Sequence, residues 1–188
     1  MLKLARVITE VFAPTVLVTV FLLATGGLTA GWFGLLSGFV AAIFTALGPF
    51  AGIVVATRKG KLSDHHVGER KQRAPIIIAS LVSSTVGLLV LLLMQAPRIS
   101  VIGLLAVSLG MIVVGVVNVF WKLSVHTAVA AFFVLGMADV LGLWWYLSVV
   151  VVLAVAWSRV VLKDHTVAQV CAGALAGAAV GVCFVFIL

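Results

Sequence analysis

"SRVVLKDHTVAQV", residues 158–170, sets Arg159, Lys163, Asp164 and His165 between two runs of apolar residues. The run before it is almost entirely apolar for about fifteen residues, and "CAGALAGAAVGVCFVFIL" follows it to the end. Charge beside bilayer hydrocarbon is costly, so these four residues either anchor helix ends at an interface or form a reaction centre. The rest of the chain shows that a bilayer is the solvent. Of 188 residues, 64% are hydrophobic and 9% are charged, and the mean hydropathy is +1.37. A soluble domain of this length needs far more charge to cover its surface.

Polar punctuation divides the chain into candidate spans at 9–28, 31–56, 76–95, 99–121, 126–142, 144–162 and 166–187. Most approach the 20 or so residues that a crossing requires. No segment alternates as a barrel strand would, and helices satisfy their own backbone groups in lipid. The expected fold is therefore all-α: a polytopic membrane helical bundle of six or seven transmembrane helices, forming a single integral membrane domain over 1–188. The start, "MLKLARVITEVFAPTVLVTVFLLATGG", mimics a secretion signal but is expected to be a retained first span. "TGGLTAG" at 25–31 reads as a tight turn, and Trp144, Trp145 and Tyr146 as an interfacial aromatic belt. Gly173, Gly177 and Gly181, at four-residue spacing, form a stripe for close helix packing. Cys171 and Cys183 point to different helical faces, which argues against a disulfide, and both read as small core residues.

The formal net charge of +7 comes from basic residues placed between spans. That pattern fits an anionic membrane face or a phosphorylated ligand, and it excludes nucleic acid as the expected partner. With seven spans, eleven of the twelve lysines and arginines fall on one face and Arg98 alone on the other. The positive-inside rule then places the polar loops in the cytoplasm, with a bacterial cytoplasmic membrane as the expected location.

Even numbers of crossings bring three polar clusters to that same face: "TRKGKLSDHHVGERKQRAP" (57–75), "FWKLSVHTA" (120–128) and "SRVVLKDH" (158–165). Together they supply Arg70, Arg73, Arg159 and Lys122, with His66, His126 and His165, and with Ser124 and Ser158. Guanidiniums suit bidentate phosphate binding, and hydroxyls add neutral donors. Histidine serves as nucleophile or proton shuttle near neutral pH. The three aspartates, Asp64, Asp139 and Asp164, are too scattered to build a metal–diphosphate cage, so no metal and no cofactor is expected. Lys59 and Lys163 read as snorkelling anchors.

"SRVVLKDH" has the spacing Ser, Arg, five residues, His, and "LSVH" precedes it by about thirty residues. In these two segments the chain resembles the type-2 phosphatidic acid phosphatase superfamily, whose third and second signatures they match. The first signature, Lys, six residues, Arg-Pro, is met with His66 in the lysine place and Arg73 in the arginine place, the proline arriving one residue late at Pro75. The resemblance implies a phosphatase-like core over about 58–188. It implies His165 as the nucleophile that forms a phosphohistidine, and His126 as the acid that protonates the leaving alcohol and then activates water. Arg159, Arg73, Ser124 and His66 would hold the phosphate oxygens, with Arg70, Ser158 and Lys122 beside them. The family's Gly is Val125 here, its Pro is Leu123, and the Asp four residues after the nucleophile is Gln169. One helical turn separates Gln169 from His165, so its amide oxygen can accept the ring N–H and orient the nucleophile. The expected function is removal of phosphate from a membrane lipid: a polyprenyl phosphate or diphosphate, a polyprenyl sugar phosphate, or a phosphatidyl-type lipid. The alternative, carried by Gln169 and Val125, is a degenerate member that binds lipid phosphates or acts as a scaffold without turnover.

Overall fold

Pro14 starts the first long helix, because proline is tolerated where a helix has no N–H to satisfy. The structure, a computed structural model, describes residues 1–60 and 70–187, with the backbone alone for 70–74. Its helices are α1 (Leu2–Val11), α2 (Pro14–Ala42), α3 (Gly48–Arg58), α4 (Arg70–Leu93), α5 (Arg98–Phe120), α6 (Val125–Leu141), α7 (Val149–Val161) and α8 (Val167–Ile187). A π-helical stretch, Ile43–Leu47, joins α2 to α3, and a 3-10 turn, Leu143–Ser148, leads into α7. Among the described residues there is no strand, and five helical stretches are long and apolar enough to cross a membrane. Outward-facing Ile78, Val82 and Leu89 on α4, and Val150 and Leu153 on α7, give the molecule an apolar exterior that suits lipid rather than water.

The longest of these stretches, Leu2–Arg58, has 57 residues, nearly three times what one crossing needs. It folds back on itself. Ala30 leaves helical geometry and Gly31 takes φ +60, which only glycine adopts without strain. The two arms then run side by side so closely that a Cβ on Gly26 would overlap the Gly34 carbonyl, and one on Gly38 the Leu22 carbonyl. "TGGLTAG" is thus the turn between two crossings, as the sequence implies. The turns at 94–97, 121–124, 142 and 162–166 likewise fall between the expected spans.

Three sequence expectations change. The first span does not begin at residue 9: α1 ends at Val11, and Ala13 is extended before Pro14. α1 is a separate helix lying against α7. Ala5 and Thr9 face α7, Lys3, Arg6 and Glu10 are exposed, and Leu4, Val7 and Val11 form an outward apolar stripe. Second, Cys171 and Cys183 are exposed on α8 rather than packed in the core; both are free thiols. Third, the aromatic cluster is divided: Trp144 is 85% exposed, whereas Trp145 turns inward and meets Phe133 edge-on at 6.0 Å.

The core is centred on three rings, Phe21 of α2, Phe132 of α6 and Phe184 of α8. Their centroids are 4.6 Å (Phe21–Phe132), 5.1 Å (Phe21–Phe184) and 6.2 Å (Phe132–Phe184) apart, all edge-to-face, a favoured aromatic arrangement. α6 and α8 make the most intimate helix pair, because the glycine stripe of α8 lies on the α6 backbone. A Cβ on Gly173 would overlap the Ser124 carbonyl, and one on Gly177 the Ala128 carbonyl. This pairing fixes the starts of α6 and α8 relative to each other.

Candidate active site

α7 ends and α8 begins through a turn that sets Arg159 and His165 in one unit. Lys163 has φ +59, the left-handed conformation that helices commonly use one residue past their C-cap. Its N–H donates to the Val160 carbonyl at 2.9 Å, and the Asp164 N–H donates to the Arg159 carbonyl at 3.1 Å. These two bonds define a Schellman motif. The His165 N–H reaches the same Arg159 carbonyl at 3.2 Å, so the backbone of the candidate nucleophile is tied to that of the candidate phosphate-binding arginine.

Both side chains are largely enclosed, at 5% exposure for Arg159 and 9% for His165. A guanidinium that leaves water needs charge and hydrogen-bond partners. Asp164 supplies a carboxylate 3.0 Å from Nη2, and Thr9 accepts from Nη1 at 3.4 Å. The Thr9 hydroxyl also lies 3.2 Å from the Ser158 hydroxyl, which in turn donates to the Val155 carbonyl at 2.7 Å. α1 therefore contributes a buried side chain to the site, from 150 residues away. Sequence reasoning missed Thr9, since nothing local to "RVITEV" announces a partner on α7.

Gln169 carries two functions. Thr166 is the N-cap of α8, and Gln169 is the third helical residue after it. The Gln169 N–H donates to Thr166 Oγ1 at 3.4 Å, and the Thr166 N–H donates to Gln169 Oε1 at 3.1 Å. This is a capping box of the Thr-x-x-Gln type. The same Oε1 lies 3.2 Å from His165 Nδ1. A backbone N–H can only donate, so the amide atom facing Thr166 must be the oxygen, and Nδ1 must then carry its proton. In the neutral ring the lone pair is then on Nε2. The one-turn spacing thus does bring the Gln169 amide to the His165 ring. The signal for this capping box is "TVAQ" itself, Thr followed three residues later by Gln.

The start of α6 closes on this unit. The Ser124 N–H donates to the Gln169 carbonyl at 3.3 Å, and the Ser124 hydroxyl oxygen caps α6 by accepting from the Thr127 N–H at 3.4 Å, which leaves its hydrogen to donate. His126, two residues into the turn, is 7% exposed. Lys122 extends its Nζ to the Asp164 carbonyl at 2.7 Å, lacing the α5–α6 loop to the α7–α8 turn. Lys122, Ser124, His126, Ser158, Arg159, His165 and Gln169 are thus brought to one end of the bundle, with Asp164 paired to the arginine rather than to the histidine. Two helix N-termini, those of α6 and α8, meet there, and their partial positive charge favours an anion.

Arg70 and Arg73 lie in the first turn of α4, which packs on α5, α2 and α3. Arg73 is one turn before Ile77, and Ile77 shares a cavity wall with Val125 of α6. His66 lies outside the described residues. Arg98, at the start of α5, donates from Nη2 to the Ile187 carbonyl at 2.8 Å, at the far end of the bundle. No family model, curated protein or solved structure matches the chain.

Proposed function

We propose that the chain is a membrane lipid-phosphate phosphatase that works through a phosphohistidine on His165. The observation that supports this most directly is the pair formed by Arg159 and His165, with the His165 Nδ1 proton engaged by Gln169. That tautomer is the one a nucleophile needs. The Asp164 carboxylate, 3.0 Å from Nη2, marks a guanidinium edge that fits an oxyanion, and the substrate phosphate competes with it there.

In the first step Nε2 of His165 attacks phosphorus, the bond from phosphorus to the lipid oxygen breaks, and His126 gives its proton to that oxygen. In the second, His126 takes a proton from water, the water oxygen bonds to phosphorus, and the P–Nε2 bond breaks to release inorganic phosphate. Arg159 and the N-termini of α6 and α8 offset the negative charge that builds on the equatorial oxygens. Arg73, Arg70 and His66 are assigned to the phosphate by the resemblance of the first motif alone. The site faces the cytoplasm of a bacterial membrane, where the positive charge of the loops belongs.

Phosphate release from lipid monophosphates and diphosphates in detergent micelles tests the proposal. Release is expected to continue unchanged with a divalent-cation chelator in excess, because arginines and helix termini supply the positive charge. Activity lost to chelator and restored by magnesium would sink it. The binding-only reading draws on one observation, that Gln169 already serves the capping box and carries no charge with which to stabilise an imidazolium. Gln169→Glu separates the two. It preserves the capping box, since Glu serves there as well as Gln, and gives Nδ1–H a charged acceptor. Single-turnover phosphoenzyme formation is expected to accelerate by about tenfold, the effect of about 1.4 kcal/mol. A slower phosphoenzyme step at unchanged melting temperature would remove Gln169 from the orienting role.

A further inference from the structure

An apolar cavity of about 240 Å³ runs inward from the end of the bundle that carries the site. Toward that face it is lined by Pro14 and Val125, the first residues of α2 and α6, and by Ile53 of α3 and Ile77 of α4, about one to two turns in from the helix ends. Val125, which lines the cavity, lies between Ser124 and His126 in the chain, so one wall of the cavity is backed by the segment that carries those two site residues. Its deepest lining residues, Val107, Phe132 and Val180, lie near the middle of α5, α6 and α8. Phe132 is held edge-on by Phe21 and Phe184, so the floor of the cavity is a packed aromatic cluster. The hydroxyls of Thr45 and Ser80 in the wall are spent on the carbonyls of Ala41 and Ile76, so apart from Thr15, next to Pro14, the lining is apolar in effect.

We infer that this cavity holds one hydrocarbon chain of the substrate lipid and measures its length, with Phe132 as the stop. A dry cavity of about 150 Å³ takes one benzene, so this one takes on the order of ten carbons. A straight single chain, alkyl or isoprenoid, is the ligand class, with any further carbons left outside the mouth or across the site. The inference rests on the phosphatase reading only for the phosphate that would sit beside Ser124 and His126. The hydrocarbon slot itself is independent of turnover.

The test uses the full-length protein in detergent and two probe series, n-alkyl phosphates and n-alkanols, from butyl to hexadecyl. Free probe in the aqueous phase is measured at each chain length, so affinity is referred to water and partition into the micelle drops out. Affinity is expected to rise about fourfold per methylene, as burial of about 0.8 kcal/mol each requires, and to level near ten carbons. Gly110→Leu fills the cavity from α5, where a Cβ would have its nearest neighbour, Val180 Cγ1, at 4.0 Å. It is expected to bring the break to a shorter chain, and Phe132→Ala to a longer one. If Phe132→Ala does not fold, the Gly110→Leu shift decides alone. A rise that continues unbroken to hexadecyl, or a break that stays put in Gly110→Leu, overturns the slot. A break that is shared by alkanols and phosphates, with no preference for phosphate, keeps the slot and overturns the phosphatase reading instead.

Discussion

His165→Ala is expected to cut phosphate release by a factor on the order of 10⁴ or more, the scale seen when a nucleophile has no substitute. The protein should remain folded. The bond that places this residue runs from its backbone N–H to the Arg159 carbonyl, and alanine keeps it. Two measurements check the outcome. One is steady-state release from a lipid phosphate; the other is trapping of a phosphoenzyme that is stable in base and lost in acid, as a phosphoramidate is. A trapped species that persists in His165→Ala would move the nucleophile elsewhere. A wild-type protein that binds alkyl phosphates yet neither turns over nor traps would establish the binding-only reading.

The second large effect is on folding. Gly177→Ala adds one methyl where the Ala128 carbonyl of α6 already lies against α8. Backbone cannot rotate out of the way as a side chain can, so the two helices must separate. Overpacking costs about 1–3 kcal/mol in ordinary cores, and a clash with backbone belongs at the top of that range. For a chain of this size about 3 kcal/mol lowers the melting temperature by roughly 6–12 °C. The separation would also stretch the Ser124 N–H to Gln169 carbonyl contact, 3.3 Å in the intact protein, so phosphate affinity should fall together with stability. An unchanged melting temperature would mean that α6 and α8 do not meet along this stripe.

The crossings were legible because their signals are local. Hydropathy, the turn glycines and the charged loops each act within a few residues, and the chain turns where they say it should. The Gly173–Gly177–Gly181 stripe was legible for the same reason: its spacing declares a face, although not the partner. The Cys171 and Cys183 expectation failed because in a bilayer the outer face is as apolar as the core, and hydropathy does not distinguish them. The separation of α1 from the first span was hidden by the same ambiguity, since Val11 and Phe12 are as greasy as the helix beyond Pro14. In the candidate site, the His165–Gln169 contact could be read from a four-residue spacing. The Thr9–Arg159 contact could not, because it depends on how α1 docks against a helix made 150 residues later.

That distance has a consequence for biogenesis. Chains are synthesised at about 5–20 residues per second, so α1 precedes its partner Arg159 by roughly 8–30 s, taking the 150-residue separation at that rate. The hairpin formed by the arms of α2 packs on itself through Gly26, Gly34 and Gly38 and can enter the bilayer as a unit once residue 58 has emerged. α1 has no such partner in reach. Its exposed Leu4, Val7 and Val11, beside Lys3 and Arg6, equip it to wait on the anionic surface of the membrane. The α1–α7 contact, and the Arg159–Thr9 bond within it, can therefore form only after residue 159 has been made.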